Sequence, residues 1–263
     1  MSNFMIGCDP EVFVADATGV RSIIGTIGGS KDNPTPLLRL GDGFAVQEDN
    51  VAMEFNIPPS PTREAFIHNV VQARDFLNTL VNDAFGFHMV KESAIVFPDA
   101  ELENPAAHVF GCDPDYNAWT GRKNPRPKGA HPNLRSCGGH VHVGVKFANK
   151  DEMYYAAQAM DVFLGIPSVL MDDGALRKSL YGKHGAFRPK PYGFEYRTLS
   201  NFWIFDEKLI GWVYDGTSKA LDAMQNKKSF TTLYDQVSTC IDKNDKDLAK
   251  QLCKQLDLEV VHA

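Results

Sequence analysis

At 263 residues the chain is long enough to bury a substantial core, and 43% hydrophobic with 23% charged residues is ordinary globular composition, which sets disordered and repeat classes aside. A net charge of −6 and a pI near 5.7 argue against a nucleic-acid binder that works through a broad basic surface. No apolar run reaches membrane-spanning length, the N-terminal MSNFMIGCDPEVFV lacks a signal-peptide pattern, and five cysteines without close pairs fit neither a disulfide framework nor a zinc motif, so a cytoplasmic protein without a membrane partner is expected.

Residues 5–15 alternate and carry β-branched side chains, predicting a strand that turns at Asp16-Ala17-Thr18-Gly19. The glycine- and proline-rich stretch 25–37 reads equally as a substrate loop or as plain connection. Residues 44–57 read as two short strands around the turn pair Asp49-Asn50, and Pro58-Pro59-Ser60-Pro61 stops the sheet. From 62 to about 85 the residues Phe66, Val70, Val71, Phe76, Leu77, Leu80 and Val81 recur at helical spacing. Residues 104–136, rich in proline, asparagine and glycine, predict a long ordered loop, of a length that in a compact domain is usually functional or flexible. A second helix is expected from Asn149, where Asn-Lys-Asp-Glu forms a loose capping box, to about residue 164. A further strand region covers 187–203, a third helix 205–224, and a charged helical hairpin the tail from 229. Strands and helices without regular βαβ alternation predict an α+β class with a largely antiparallel sheet. No linker divides the chain, so one domain is expected over 1–263, with a catalytic core at about 4–205 and a helical tail at about 206–263. Gly7-Cys8-Asp9-Pro10-Glu11 recurs as Gly111-Cys112-Asp113-Pro114-Asp115, too short an echo to carry a duplication.

The chemistry lies in polar pairs at i and i+2, which in a strand share one face. Asp9 and Glu11, Glu54 and Asn56, His140 and His142, and Glu195 and Arg197 all alternate with mostly apolar neighbours. Carboxylates crowded on one face would repel unless protonated or neutralised by cations. Oxygen-rich sites suit Mg2+ or Mn2+ and so point to metal-clamped phosphate oxygens. Glu48, across the Asp49-Asn50 turn from Glu54, is a further candidate, with a solvated hairpin residue as the alternative reading. Cys137-Gly138-Gly139 before His140, and Gly144 after Val143, mark places where backbone or ligand approaches closely. Arg177, Lys178, Lys183, His184, Arg188, Lys190 and Arg197 form a cationic stretch that implies an anionic ligand, against the alternative of a solvated loop. Arg126, Lys128 and Arg135 are unranked additions to it.

These motifs resemble a known family. Asp9-Pro10-Glu11-Val12-Phe13 resembles the acidic-Pro-Glu strand of glutamine synthetase, Gly138-Gly139-His140-Val141-His142-Val143 its Gly-x-His-x-His strand, and Phe194-Glu195-Tyr196-Arg197 its Glu-x-Arg strand, in the same order and with Glu48 and Glu54 between the first two. The chain as a whole resembles the phage-encoded carboxylate–amine ligase (amidoligase) family of the glutamine synthetase and γ-glutamylcysteine ligase superfamily over roughly residues 4–205. That resemblance implies a curved, largely antiparallel sheet of the glutamine-synthetase catalytic type, with helices packed on its convex face. It implies ATP and Mg2+ (or Mn2+) as cofactors, with Glu11, Glu48 and Glu54 on one cation and Asp9, His140 and Glu195 on the other. His142, Arg188 and Arg197 would contact the transferred phosphate, joined by Arg177. The implied reaction passes the γ-phosphoryl of ATP to a carboxylate, and an amine then displaces phosphate. Substrates would be small-molecule or peptide carboxylates and amines; the composition of the long loop, apart from the resemblance, offers Asp113 or Asp115 as a base for the incoming ammonium. Asp9 is one methylene shorter than the usual Glu, and the Glu48–Glu54 spacing is shorter than in glutamine synthetase. No equivalent of its glutamate and ammonia segments is found, so glutamine synthesis is not expected. A metal-dependent kinase or hydrolase, and a non-catalytic metal- or nucleotide-binding module, stay open as alternatives.

Overall fold

The computed structural model describes residues 4–109, 115–124 and 131–261; Asp113, Arg126 and Lys128 lie outside the described residues. The expected first strand is two strands. β1 (Met5–Cys8) and β2 (Glu11–Asp16) part at Asp9-Pro10, where Pro10 has no N–H to give and its carbonyl accepts from Phe55 N at 3.2 Å. β2 turns into β3 (Gly19–Arg21), with Asp16 Oδ1 accepting from Thr18 N at 2.7 Å. The following loop holds a two-residue β4 (Thr35–Pro36), and the expected hairpin forms from β5 (Ala45–Asp49) and β6 (Ala52–Asn56).

α1 (Arg63–Phe85) begins where Thr62 Oγ1 accepts from Ala65 N at 3.2 Å, and it buries Phe66, Val70, Ala73, Leu77 and Val81. Two three-residue strands follow that are too short to leave a readable period, β7 (His88–Val90) and β8 (Ala94–Val96). The long loop contributes β9 (Tyr116–Asn117) and β10 (Leu134–Ser136), after which comes β11 (Val141–Gly144). α2 (Lys150–Met160) is capped by Asn149 as expected, then continues through a wide turn at Asp161–Gly165 into α3 (Ile166–Met171). The last strand region is a hairpin of β12 (Ala186–Lys190) and β13 (Gly193–Tyr196), and Asn201–Phe205 is a short 3-10 turn instead of strand. α4 (Glu207–Gln225) and the tail helices α5 (Tyr234–Asp242) and α6 (Lys246–Leu256) complete the chain.

Every strand pairing among the described residues is antiparallel. A first sheet runs β1-β11-β13-β12-β9 and a second β3-β2-β6-β5-β4 with β7 against β2, while β8 and β10 pair in a separate two-stranded ribbon. The Asp9-Pro10 kink carries the chain from the first sheet to the second, so the two sheets curl around a shared line. Register sorts the side chains. Ile6, Val143, Phe194 and Pro189 form one row across the first sheet, and Cys8, Val141, Tyr196 and Phe187 another. Apart from Pro189 these side chains join Ala156, Met160, Leu209, Ile210 and Trp212 of α2 and α4 in the main core. Burying each large apolar side chain there contributes roughly 1.5–3 kcal/mol. The alternate row, Gly7, His142, Glu195 and Arg188, faces away from the helices. The mixed α/β class with an antiparallel sheet thus agrees with the sequence reading. No helix among the described residues is long and apolar enough to cross a membrane.

Candidate active site

The polar row of the first sheet gathers around Glu195, which is fully buried. Asp9, delivered by the kink after β1, lies with its Oδ2 3.1 Å from His142 Nε2 and its Oδ1 3.3 Å from His140 Nδ1. His140 Nδ1 is also 3.4 Å from Glu195 Oε1. One donor atom from each of Asp9, His142 and Glu195 lies within 4.8 Å of the others. Arg197 bonds Glu195 Oε1, while Lys190 Nζ at 3.0 Å and Arg188 Nη1 at 3.5 Å face Oε2. Charge follows geometry. Burial pushes Asp9 up, but His142 and His140 beside it more than offset this and hold it well below the carboxylate range. Burial and Asp9 push Glu195 up, and Arg197, His140 and Arg188 outweigh them and bring it down to about 2. Burial and then Arg197 lower His140, leaving an imidazole suited to offer a lone pair, whereas Asp9 overcomes burial to raise His142.

A second cluster stands on the other sheet. Glu11 pairs with Glu54 in register, and Glu54 with Gln47, whose Nε2 donates to Glu54 Oε2 at 2.9 Å. Glu11, Asp49 and Glu54 bring one oxygen each within 4.8 Å of one another. Burial and then Asp49 push Glu11 up to about 8, although Gly138 N donates to its Oε2 at 2.8 Å. Burial, Asp9 and Glu11 raise Glu54 well above its ordinary value. Three neighbouring acids, two of them reluctant to ionise, have the chemistry of a site that favours a divalent cation.

Glu48 is not part of it. Its row in the β5–β6 hairpin is that of Met53, on the face opposite Glu54, and its carboxylate accepts the N–H groups of Gly25, Thr26, Ile27 and Gly28 at 2.8–3.1 Å. The solvated-hairpin alternative does not describe it either: Glu48 anchors the glycine-rich loop. Asp49, two residues from Gln47 on the same face, takes the place that sequence reasoning gave to Glu48. The signal was present, because a turn at Asn50 and Val51 puts Gln47 opposite Glu54 and Glu48 on the far side.

The cationic stretch divides. Arg188, Lys190 and Arg197 meet at Glu195. Arg177 is buried, its Nη1 donating to Thr198 O at 3.1 Å and its Nη2 to Arg197 O at 3.5 Å, so it lies beneath the Arg197 backbone with its charge acting on Glu11. Lys178 donates to Gly182 O at 2.6 Å, and burial then Arg177 lower it to about 8. Lys183 and His184 turn to the tail, where His184 Nδ1 lies 3.0 Å from Asp242 Oδ2. Arg135 is a buried tie, donating to Ala107 O at 2.8 Å and Asn50 Oδ1 at 3.1 Å. Asp115 stands close enough to act electrostatically on Arg197 and Tyr181. Of the glycines before His140, Gly138 clears the His140 ring, which a Cβ would meet at 2.3 Å, and Gly139 clears the Ser200 carbonyl at 2.3 Å. Their close approach is to the protein itself.

The metal-site chemistry has a direct test in unsatisfied atoms. Among the described residues, Asp9 Oδ1, His142 Nε2 and Glu195 Oε2 are buried without a directed hydrogen bond, although cationic and acidic partners stand near them. These three belong to one cluster, whereas others of the kind, such as Ser93 Oγ, His184 Nδ1 and Asn201 Oδ1, lie apart from it. Buried polar atoms left in this way are costly, and a cation among the three would satisfy them together.

Fold and site thus define a mixed α/β protein whose antiparallel sheets carry two acid clusters fit for cations, with guanidinium and ammonium groups beside one of them. Residues 128–257 match the family model described as phage phiEco32-like COOH.NH2 ligase-type 2, a match that supports a phage-like carboxylate–amine ligase family. The matched span contains His140, His142, Arg177, Arg188, Glu195 and Arg197, while Asp9, Glu11, Glu48 and Glu54 precede it. No curated protein matches the chain.

Proposed function

We propose that the chain is an ATP- and Mg2+-dependent carboxylate–amine ligase that works through an acyl phosphate and releases ADP and phosphate. The observation that carries this reading is the polar row of the first sheet, which sets a cation-competent trio (Asp9, His142, Glu195) against three side-chain cations (Arg188, Lys190, Arg197). A structural ion has no need of those cations; a phosphoryl group does. The family description adds a carboxylate and an amine as the groups joined. The curled antiparallel sheets accord with a glutamine-synthetase type of catalytic face.

In this reading Asp9, His140, His142 and Glu195 hold one divalent cation, and Glu11, Asp49 and Glu54 another. Bound cations supply neutralisation of the phosphate oxygens. Arg188 and Arg197 orient the γ-phosphoryl and stabilise charge that spreads over its oxygens during transfer to the substrate carboxylate. An amine then attacks the activated carbonyl, the C–O bond to phosphate breaks, and the amine proton passes to a base such as Asp115.

The experiment is a screen of paired carboxylates and amines, including amino acids and cell-wall precursors, for Mg2+-dependent ADP release. Release that requires both partners supports the ligase. ADP formed with a single phosphate acceptor and no amine would make the chain a kinase, and AMP with pyrophosphate would rule out the acyl phosphate.

A further inference from the structure

We propose that Lys190 is an exchangeable counter-ion of Glu195, which gives way to a divalent cation and then turns to the phosphate oxygens of the nucleotide. This rests on the functional reading above, and it assigns a particular role to one member of the cationic stretch to which the resemblance gave none.

Lys190 stands two residues after Arg188 on β12, on the same face of the sheet. In its own register row the neighbours are Gly193 and Gly144, which carry no side chain to crowd the lysine stem. Gly193 is held to glycine: its φ is 149°, and a Cβ there would meet Val143 O at 2.0 Å. The strand partner is therefore fixed, while the lysine side chain beside it is part-exposed. Its Nζ lies 3.0 Å from Glu195 Oε2, an oxygen of a residue in the cation-competent trio and one with no directed hydrogen bond among the described residues.

The two partners differ in exposure. The Glu195 side chain is 0% exposed and the Lys190 side chain 29%, so the acid is fixed and the ammonium has a route to solvent. Arg197 bonds the other oxygen, Oε1, and stays compatible with a cation at Oε2. A divalent cation bound through Oε2 would face the Lys190 ammonium at short range, and like charges at that distance repel. A compact ammonium on a flexible four-carbon stem is the group best able to move away. Displaced from Glu195, it remains beside Arg188, where an anionic ligand would sit. Cation and anion binding are then coupled through one side chain, and the coupling must be reciprocal.

The test uses the full chain and its Lys190→Met variant, which keeps an apolar stem and loses the charge. Lys190→Gln serves as a second substitution should the first fold poorly. Mn2+ alone is titrated by electron paramagnetic resonance, and ADP is titrated at saturating Mg2+ by calorimetry. Loss of the competing ammonium should tighten Mn2+ binding on the order of 5-fold and weaken ADP binding on the order of 10-fold. A merely structural lysine would weaken both or neither. In a Glu195→Gln background the Lys190 substitution should no longer change Mn2+ affinity. Unchanged or weaker Mn2+ binding in Lys190→Met, with wild-type Mn2+ binding intact, overturns this inference and leaves the ligase reading standing. Failure of the wild-type chain to bind Mn2+ overturns both.

Discussion

Glu11→Gln should make the metal-free protein more stable at alkaline pH, even though it removes a side chain from the site. Glu11 is pressed by burial and by Asp49 and ionises near pH 8, against an ordinary value of 4.5. A carboxyl whose folded pKa is raised contributes stability that is fully present below the unfolded value and is lost as pH rises through the folded one. The window is therefore pH 4.5 to about 8. Once ionised, Glu11 costs the folded chain on the order of 5 kcal/mol, since each pKa unit is worth about 1.4 kcal/mol. Glutamine keeps an acceptor for Gly138 N but never ionises. Below about pH 5 the wild-type carboxyl is already neutral, so the two proteins should melt together; by about pH 9 the variant should melt about 10 °C higher, at a few degrees per kcal/mol. Thermal melts in chelator across that range measure this directly. Saturating Mg2+ should shrink that gap at alkaline pH, because the Asp9, His142 and Glu195 cluster is intact in both proteins while only the wild type keeps all three acids of the second. A wild-type melting temperature that is flat with pH, or a variant that is less stable in chelator at about pH 9, would refute the crowded-acid account of this cluster.

Asp49→Asn should weaken Mn2+ binding on the order of 10-fold, comparable to Glu54→Gln, when both are titrated against the wild type. Glu48→Ala should leave Mn2+ affinity within about twofold and destabilise the chain by about 2 kcal/mol in denaturant melts, because four N–H groups lose their acceptor. If Glu48→Ala instead abolishes metal binding, the placement of Glu48 on the far face of the hairpin is wrong. Arg188→Lys keeps the charge but loses the planar fork, so kcat in the ADP-release assay should fall on the order of 10²-fold while KM for ATP changes much less. A lysine variant that turns over at the wild-type rate would move the phosphate contact to Arg197 or Lys190.

Period-2 spacing told which side chains share a face within a strand, and so identified Asp9, Glu11, Glu54, His140, His142, Glu195 and Arg197 before any pairing was known. Helical spacing placed α1 from about residue 62, and capping chemistry placed the start of α2 at Asn149. The sequence by itself also determined the kind of chemistry, because acids, imidazoles and guanidiniums keep their character wherever the fold puts them. Their grouping was decided elsewhere. Within a strand the alternation is local and legible, but which residue stands opposite which depends on turn length and on the kink at Pro10. One residue of register separates Glu48 from Asp49, and that single step exchanges a loop anchor for a member of the acid cluster. The kink sends Asp9 to one sheet and Glu11 to the other. Arg177 and Lys190 look alike in the cationic stretch, yet packing buries the first beneath the Thr198 carbonyl and leaves the second at the open face over two glycines. Only tertiary structure sets burial, and burial is what turns ordinary carboxyls into Glu11, held neutral near pH 7, and Glu195, held ionised by the cations around it.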